Sequence, residues 1–268
     1  MSGEPAFQAL RPTKRKAPPP APRIFDQADA VASPDALKER LEVLRAKYAG
    51  ADARTLLRAM IKDEFAGKIT TVSSFGSESV VLLHLISEID PSVPVIFLNT
   101  GKLFGETMRY RDRLQERLGL TDLRAIGPHP DDLKALDPDG TLWSRDPDSC
   151  CNIRKVLPLR RAITGFEAEI TGRKRFQTQA RTSMSPLELN GARVVVNPLW
   201  NWTLQDLKEH ILAHDLPRHP LVEDGFLSIG CMPCTQRVRE GEDYRSGRWA
   251  GLDKDECGIH ENAEGDGI

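Results

Sequence analysis

The sequence predicts an α/β protein built on a doubly wound, mostly parallel sheet flanked by helices. Three observations carry that prediction. Short β-branched and apolar runs alternate with longer amphipathic segments, the pattern of parallel strands joined by crossover helices. Glycine- and hydroxyl-rich turns follow several of the strands, where helices begin. The 268 residues, 40% hydrophobic and 28% charged, suffice for one large core.

The elements follow in order. Residues 1–23 hold six prolines and five basic residues against one acid, too little apolar matter for a core. Residues 1–30 are therefore expected as a disordered tail, and Lys14-Arg-Lys16 as a solvated basic run. A body of residues 31–240 begins at Ser33-Pro34, a helix start with Ser as cap and Pro in the first turn. Leu37, Leu41, Leu44 and Tyr48 recur at helical spacing. A second helix is expected from Thr55 to Phe65, with Leu56, Leu57, Met60 and Ile61 facing the core. Strands are expected at 69–73, 94–98, 123–126, 168–171 and 194–196. Helices are expected at 80–89, 106–118, up to Phe166 through Pro158, and from Thr203 to Ala213. Residues 241–268 are polar and Gly-rich, and are expected as a mobile tail.

Composition bounds the partners. The net charge of −2 gives no global field for nucleic acid or a membrane surface. No run of 18 apolar residues predicts a membrane helix, and no apolar secretory segment opens the chain. Five clustered cysteines do not resemble a secreted disulfide framework, so a reducing cytoplasm is expected.

The cysteines carry the strongest chemical signal. Cys150 and Cys151 are adjacent; Cys231 and Cys234 form a C-x-x-C eighty residues further on. Four thiolates suit an iron–sulfur cluster or zinc, and buried or redox-active thiols are a third reading. Adjacent ligands fit zinc knuckles poorly, which favours [4Fe–4S]. Cys257, in Glu256-Cys-Gly-Ile-His260, lies outside both pairs and is available for chemistry.

Three turns fall at strand ends. Ser73-Ser-Phe-Gly-Ser-Glu-Ser79 opens a helix, where free amides and the helix dipole attract an anion. It is neither a Walker A loop nor a G-x-G-x-x-G. After the second strand, Asn99, Thr100 and Glu106 border the same crevice and offer hydrogen bonds to a nucleoside. Thr171-Gly-Arg-Lys-Arg175 lies in a stretch, Arg154 to Arg181, with eight basic residues and two acids. Arginine forks there suit phosphate or sulfate oxygens. Trp200 and Trp202 read as packing residues, and His219 as a polar loop residue without an evident role.

Taken in order, Ser-Phe-Gly, Asn-Thr-Gly-x-Leu-Phe-x-Glu-Thr, Cys-Cys-x-x-Arg-Lys, Thr-Gly, Arg-x-Gln, Ser-Ile-Gly-Cys-x-Pro-Cys-Thr, Gly-Arg-Trp and Glu-Cys-Gly-Ile-His span about residues 70–260. This series resembles assimilatory adenylyl-sulfate (APS) reductase, the cluster-containing branch of the phosphoadenylyl-sulfate (PAPS) reductase family. The resemblance implies an adenine nucleotide alpha hydrolase-like fold with a PP-loop at Ser73, Ser74, Phe75, Gly76 and Glu78. It implies a [4Fe–4S] cluster on Cys150, Cys151, Cys231 and Cys234, with Lys155 beside cluster and substrate. Thr100, Gly172, Arg173, Lys174, Arg175, Arg245, Arg248 and His260 would border the nucleotide and phosphosulfate, and Cys257 would be the nucleophile. The implied reaction takes adenosine 5′-phosphosulfate to sulfite and AMP in sulfate assimilation, with thioredoxin or glutaredoxin as reductant. Homo-oligomerisation is left open. Phe176 stands where the family often has Asp, which blurs the assignment of Arg173, Lys174 and Arg175. The rival readings are a PAPS or dual-specificity reductase, a PP-loop ATP pyrophosphatase such as a tRNA-thiolating enzyme, and a zinc-stabilised nucleotide-binding module.

Overall fold

A computed structural model describes residues 33–239, 241–251, 254 and 256–259. The expected 1–30 tail and His260 lie outside these residues. All described residues fall within one unit, Ser33–Ile268.

A six-stranded sheet forms the centre, in the order β3-β2-β1-β4-β6-β5. Its strands are β1 (Ile69–Ser73), β2 (Val95–Leu98), β3 (Leu123–Ile126), β4 (Ala168–Ile170), β5 (Leu187–Asn190) and β6 (Arg193–Val196). All neighbours are parallel except β5 and β6. The all-apolar β2 is buried along its length, as a parallel strand covered on both faces must be. β5 was not expected from its sequence. It has only four residues and pairs as a hairpin through Gly191, whose φ of +57° favours glycine.

Helices α1 (Pro34–Lys47), α2 (Ala53–Ala59), α3 (Ser79–Ile89), α4 (Gly105–Leu118) and α9 (Leu204–Ala213) contribute to the main core. α8 (Leu157–Ala162) closes a smaller one with Ile96, Leu98, Leu159 and Ile163. Short helices α5 (Pro130–Leu136), α6 (Leu142–Arg145) and α7 (Pro147–Cys151) fill the connection from β3 to β4. They are too short for a clear hydrophobic period, and the sequence reading left them out.

Two expected helices change form. Thr55–Phe65 is α2, capped by Asp52, followed by a π turn at Met60–Glu64. The helix expected through Pro158 begins earlier, at Pro147. It passes through a π turn at Asn152–Val156 and ends at Ala162 rather than Phe166. Pro158 has no N–H to donate, and the turn before it widens. That widened turn carries Lys155, one turn beyond Cys151.

The topology fixes where a ligand fits. From β1 the chain winds outward through β2 and β3, then crosses to β4 on the other side of β1. The carboxyl ends of β1 and β4 therefore flank a switch point, where open α/β sheets leave a crevice.

Candidate active site

A cavity of about 220 Å³ occupies that crevice. Ser73, Ser74, Gly76 and Glu78 line it from the β1–α3 turn, and Gly172, Arg173 and Lys174 from the end of β4. Thr100, Lys155, Arg245, Arg248 and Cys257 complete the expected substrate and nucleophile residues found there, beside the expected metal ligand Cys231. The fold thus gathers twelve of them from six separate stretches of chain.

The β1–α3 turn is shaped for close approach. A side chain at Gly76 would meet the Ile229 carbonyl oxygen at 3.2 Å. Phe75 adopts φ +50° and points away from the cavity, fully buried against Phe97 at 5.4 Å between ring centres. It supports the loop rather than lining the cavity. The cap residue of α3, Glu78, makes no side-chain cap bond, and Glu78 and Ser79 both line the cavity, so the start of the helix faces it.

The basic stretch after β4 is largely neutralised by its own surroundings. The Lys174 ammonium is buried and paired with Glu78. Burial would raise the Glu78 pKa, but Lys174 and its hydrogen bond outweigh this and keep it below the usual carboxylate value. Gln177 Nε2 donates to the same carboxylate at 2.8 Å. Arg173 pairs with Glu188 at 3.0 Å. Arg175 lies outside the cavity: its Nε donates to the Met184 carbonyl at 2.8 Å and its guanidinium stacks on Trp200 at 4.0 Å. The expected substrate role of Arg175 is therefore corrected to a packing one. Trp200 packs as expected.

Two further expectations move. Asn99 accepts from the Gly101 amide at 3.2 Å and so shapes its own turn, while Glu106 pairs with Arg109 at 2.8 Å on the surface. Of the three polar residues expected there only Thr100 lines the cavity, and its hydroxyl lies 3.3 Å from Cys231 Sγ. His219 gains a role. It is fully buried, with Nε2 3.0 Å from Thr107 Oγ1 and Nδ1 accepting from the Leu221 amide at 3.2 Å. Burial drops its pKa to about 4, so it is a neutral pin between α4 and the loop after α9.

Behind the cavity lie the four paired cysteines. Cys150, Cys151, Cys231 and Cys234 line a single small recess together with Arg154 and Lys155. None is in a disulfide. Burial first, and then the neighbouring Cys151, pushes the Cys150 thiol up to about 11. Four thiols held together, three of them buried, are a donor set that a cation would stabilise as thiolates. Arg154, not anticipated as structural, braces the site. It is buried, donates to the Thr100 carbonyl at 2.7 Å and pairs with Asp137.

Lys155 links recess and cavity, being the one expected substrate residue that lines both. Its Nζ lies 3.8 Å from Cys151 Sγ and 5.9 Å from the Trp249 ring centre. Burial would lower its pKa, but the sulfurs of Cys231, Cys257 and Cys151 outweigh that and raise it, keeping the ammonium charged.

The segment expected as a mobile tail is anchored where it is described. The Gln236 amide donates to the Gly247 carbonyl at 2.7 Å and the Trp249 amide to the Cys234 carbonyl at 3.1 Å. A side chain on Gly247 would lie 2.3 Å from the Gln236 carbonyl oxygen, so only glycine permits this pairing. Arg248 is thereby pressed onto Gly230, where an added Cβ would meet its guanidinium at 2.2 Å. Its Nε is buried without a partner, and its guanidinium lies 4.3 Å over the Trp249 ring. Tyr244 lies 3.0 Å from Ser77 Oγ. Further on, Lys254 pairs with Asp148 on α7, and Glu256 pairs with Arg181 at 2.7 Å. Both ion pairs hold the chain just ahead of Cys257, which lines the cavity wall. Gln177, Arg181, Tyr244, Trp249 and Glu256 were not singled out as site residues. The signal for Arg181 and Glu256 was their opposite charge, which linear separation hides.

Residues 68–237 match the sequence family described as phosphoadenosine phosphosulfate reductase domain. The chain is 47% identical over 243 residues to the adenosine 5′-phosphosulfate reductase of Mesorhizobium japonicum, covering 91% of this chain and 93% of that protein. It is 48% identical over 234 residues to the protein of the same name from a Chelativorans species, covering 85% and 95%. Among solved structures it is similar to the phosphoadenylyl-sulfate reductase of Candida auris in a phosphate complex. That pair has a TM-score of 0.63 and 25% identity, covering 75% of this chain and 97% of that one.

Proposed function

The chain belongs to the phosphoadenosine phosphosulfate reductase family, and from that premise we propose that it reduces adenosine 5′-phosphosulfate to sulfite and AMP in sulfate assimilation, with Cys257 as nucleophile. One observation carries the assignment to residues. A single cavity joins an anion-binding helix start, the cations Lys155, Arg245 and Arg248, and a cysteine outside the four-thiol recess.

The chemistry follows from these groups. AMP lies toward the β1–α3 turn, where the dipole of α3 favours its phosphate. The sulfonate end lies toward Lys155 and Arg248, which offset the charge that develops on the leaving phosphate oxygen. The Cys257 thiolate attacks sulfur, the S–O bond to phosphate breaks, and AMP departs with the bonding pair. Cys257 is left as an S-sulfocysteine. A thiolate of a reduced thioredoxin-type dithiol then attacks Cys257 Sγ and expels sulfite. Its second thiol closes the disulfide, returning the Cys257 thiolate, so the dithiol supplies both electrons.

Cys150, Cys151, Cys231 and Cys234 would hold the metal cofactor, read here as [4Fe–4S]. A zinc ion at about 2.3 Å from each sulfur needs thiolates within about 4 Å of one another. The four thiols line one recess, and adjacent ligands such as Cys150 and Cys151 suit the larger group better than a zinc knuckle. When bound, it supplies structural closure and a fixed charge beside Lys155.

The test is a single turnover. Wild-type enzyme given adenosine 5′-phosphosulfate without reductant releases one AMP per site and stalls, carrying an added sulfonate that maps to Cys257. Cys257→Ser keeps its colour and binds substrate but forms no adduct. Sulfite production by Cys257→Ser would refute the nucleophile. Equal turnover of the 3′-phosphorylated substrate would make the enzyme dual-specific.

A further inference from the structure

Three of the six histidines meet outside the cavity, at the seam between the third and ninth helices. His84 lies on the third helix, and His210 on the ninth. His214 caps the carboxyl end of that ninth helix. One ring nitrogen from each lies within 4.8 Å of the others. His84 Nδ1 and His210 Nε2 are 3.1 Å apart, and the His214 ring centre lies 4.6 Å from that of His84 and 4.4 Å from that of His210. None of the three lines the active-site cavity.

The spacing is that of a chelate. His210 and His214 stand four apart, on one face of a helix. His84 faces them across the α3–α9 contact, and Glu88, one turn further along α3, brings a carboxylate oxygen 3.6 Å from His84 Nδ1. Neutral imidazole is the ligating form. Burial first, then His214 and His84, lowers the His210 pKa to about 4; burial likewise lowers that of His84. Arg54 and Arg117 add to the lowering at His84, while Glu88 opposes it. Two rings are half-buried and His214 is exposed, which leaves an entry path and a coordination position open to solvent.

We propose that His84, His210 and His214, with Glu88 beside them, form a second metal site, separate from the thiol recess, for a divalent first-row ion of the zinc class. Three imidazoles suit zinc, copper or nickel better than magnesium or calcium. A bound ion replaces the single shared proton between His84 and His210 with a bond to each ring. It ties α9 to α3, the helix whose start faces the nucleotide, and its action is to stiffen that seam rather than to enter the reaction.

The test counts metals in the full-length, cluster-bearing protein. Cys257→Ser protein is used as background so that the thiol outside the recess cannot hold zinc. After incubation with zinc and desalting, this protein is expected to retain one zinc beyond its iron, and its Tm to rise by a few degrees. His84→Gln, His210→Gln and His214→Gln, each in that background, are expected to lose that zinc and the Tm rise while keeping the same iron content. Equal iron shows that the fold is intact, and the exposed His214 gives a variant that does not disturb the core. In enzyme that retains Cys257, His214→Gln leaves metal-free turnover unchanged. Zinc retained by all three histidine variants, or zinc that appears only as iron is lost, overturns the proposal.

Discussion

Glu256→Gln isolates what holds Cys257, the proposed nucleophile, in place. Glu256 pairs with Arg181 at 2.7 Å, with side chains 25% and 12% exposed respectively. It also accepts from Thr178 Oγ1 at 3.3 Å. An exposed pair contributes about 0–1 kcal/mol and breaking a fully buried one costs about 3–5 kcal/mol. This half-covered pair belongs between them. Glutamine keeps the shape and a neutral hydrogen bond, so the loss is the charge-assisted part, about 1.5 kcal/mol. At 1.36 kcal/mol per factor of ten, the seated form of the Cys257 segment falls roughly tenfold relative to the unseated one. Lys254 with Asp148 remains as a second anchor and prevents a larger loss. The assay is rapid-quench measurement of AMP formed in a single turnover without reductant, alongside substrate affinity by equilibrium binding. The rate of AMP formation is expected to fall, by up to about tenfold. Affinity is expected to hold or tighten, because the substitution releases Arg181 toward an anionic ligand. An unchanged rate with weakened binding would show that Glu256 shapes the substrate site and does not seat the nucleophile.

Three further outcomes are expected. Ser at Cys150, Cys151, Cys231 or Cys234 should abolish bound iron and visible colour together, measured by metal analysis and absorbance; zinc in a colourless, fully active wild type would refute the assignment. Gly230→Ala places a methyl where the Arg248 guanidinium now lies, so KM for adenosine 5′-phosphosulfate should rise about tenfold, the loss of one charged contact, while iron content stays constant. Glu169 is buried in β4, and burial, opposed by Arg193 and Arg173, lifts its pKa from 4.5 to about 7. A raised folded-state value means its protonated form stabilises the fold below pH 4.5, and that contribution declines as pH rises toward 7. Glu169→Gln should therefore lessen the loss of stability between pH 5 and pH 8, by up to about 3 kcal/mol, in denaturant titrations. Parallel curves for the two proteins would refute it.

Local patterns were enough for most of the strands, because β1 and β6 are rich in β-branched residues and β2 is wholly apolar, each lying between turn residues. They were enough also for the two cysteine pairs and the lone Cys257, since thiol chemistry depends on residue type and close spacing. The hairpin strand β5 was not legible, as four half-polar residues have no period of their own and take their form from β6. Partnership was not legible either. Arg173, Lys174 and Arg175 read as three equivalent cations, yet only the fold sets Lys174 against Glu78, 96 residues away, and Arg175 over Trp200. The same holds for Arg181 with Glu256 and for His84 with His210 and His214. Charge and ligand chemistry act through a few ångströms of space. A chain order that separates partners by 25 to 126 residues carries the groups but not their distances, and those distances decide which cations remain for a substrate and which side chains can share an ion.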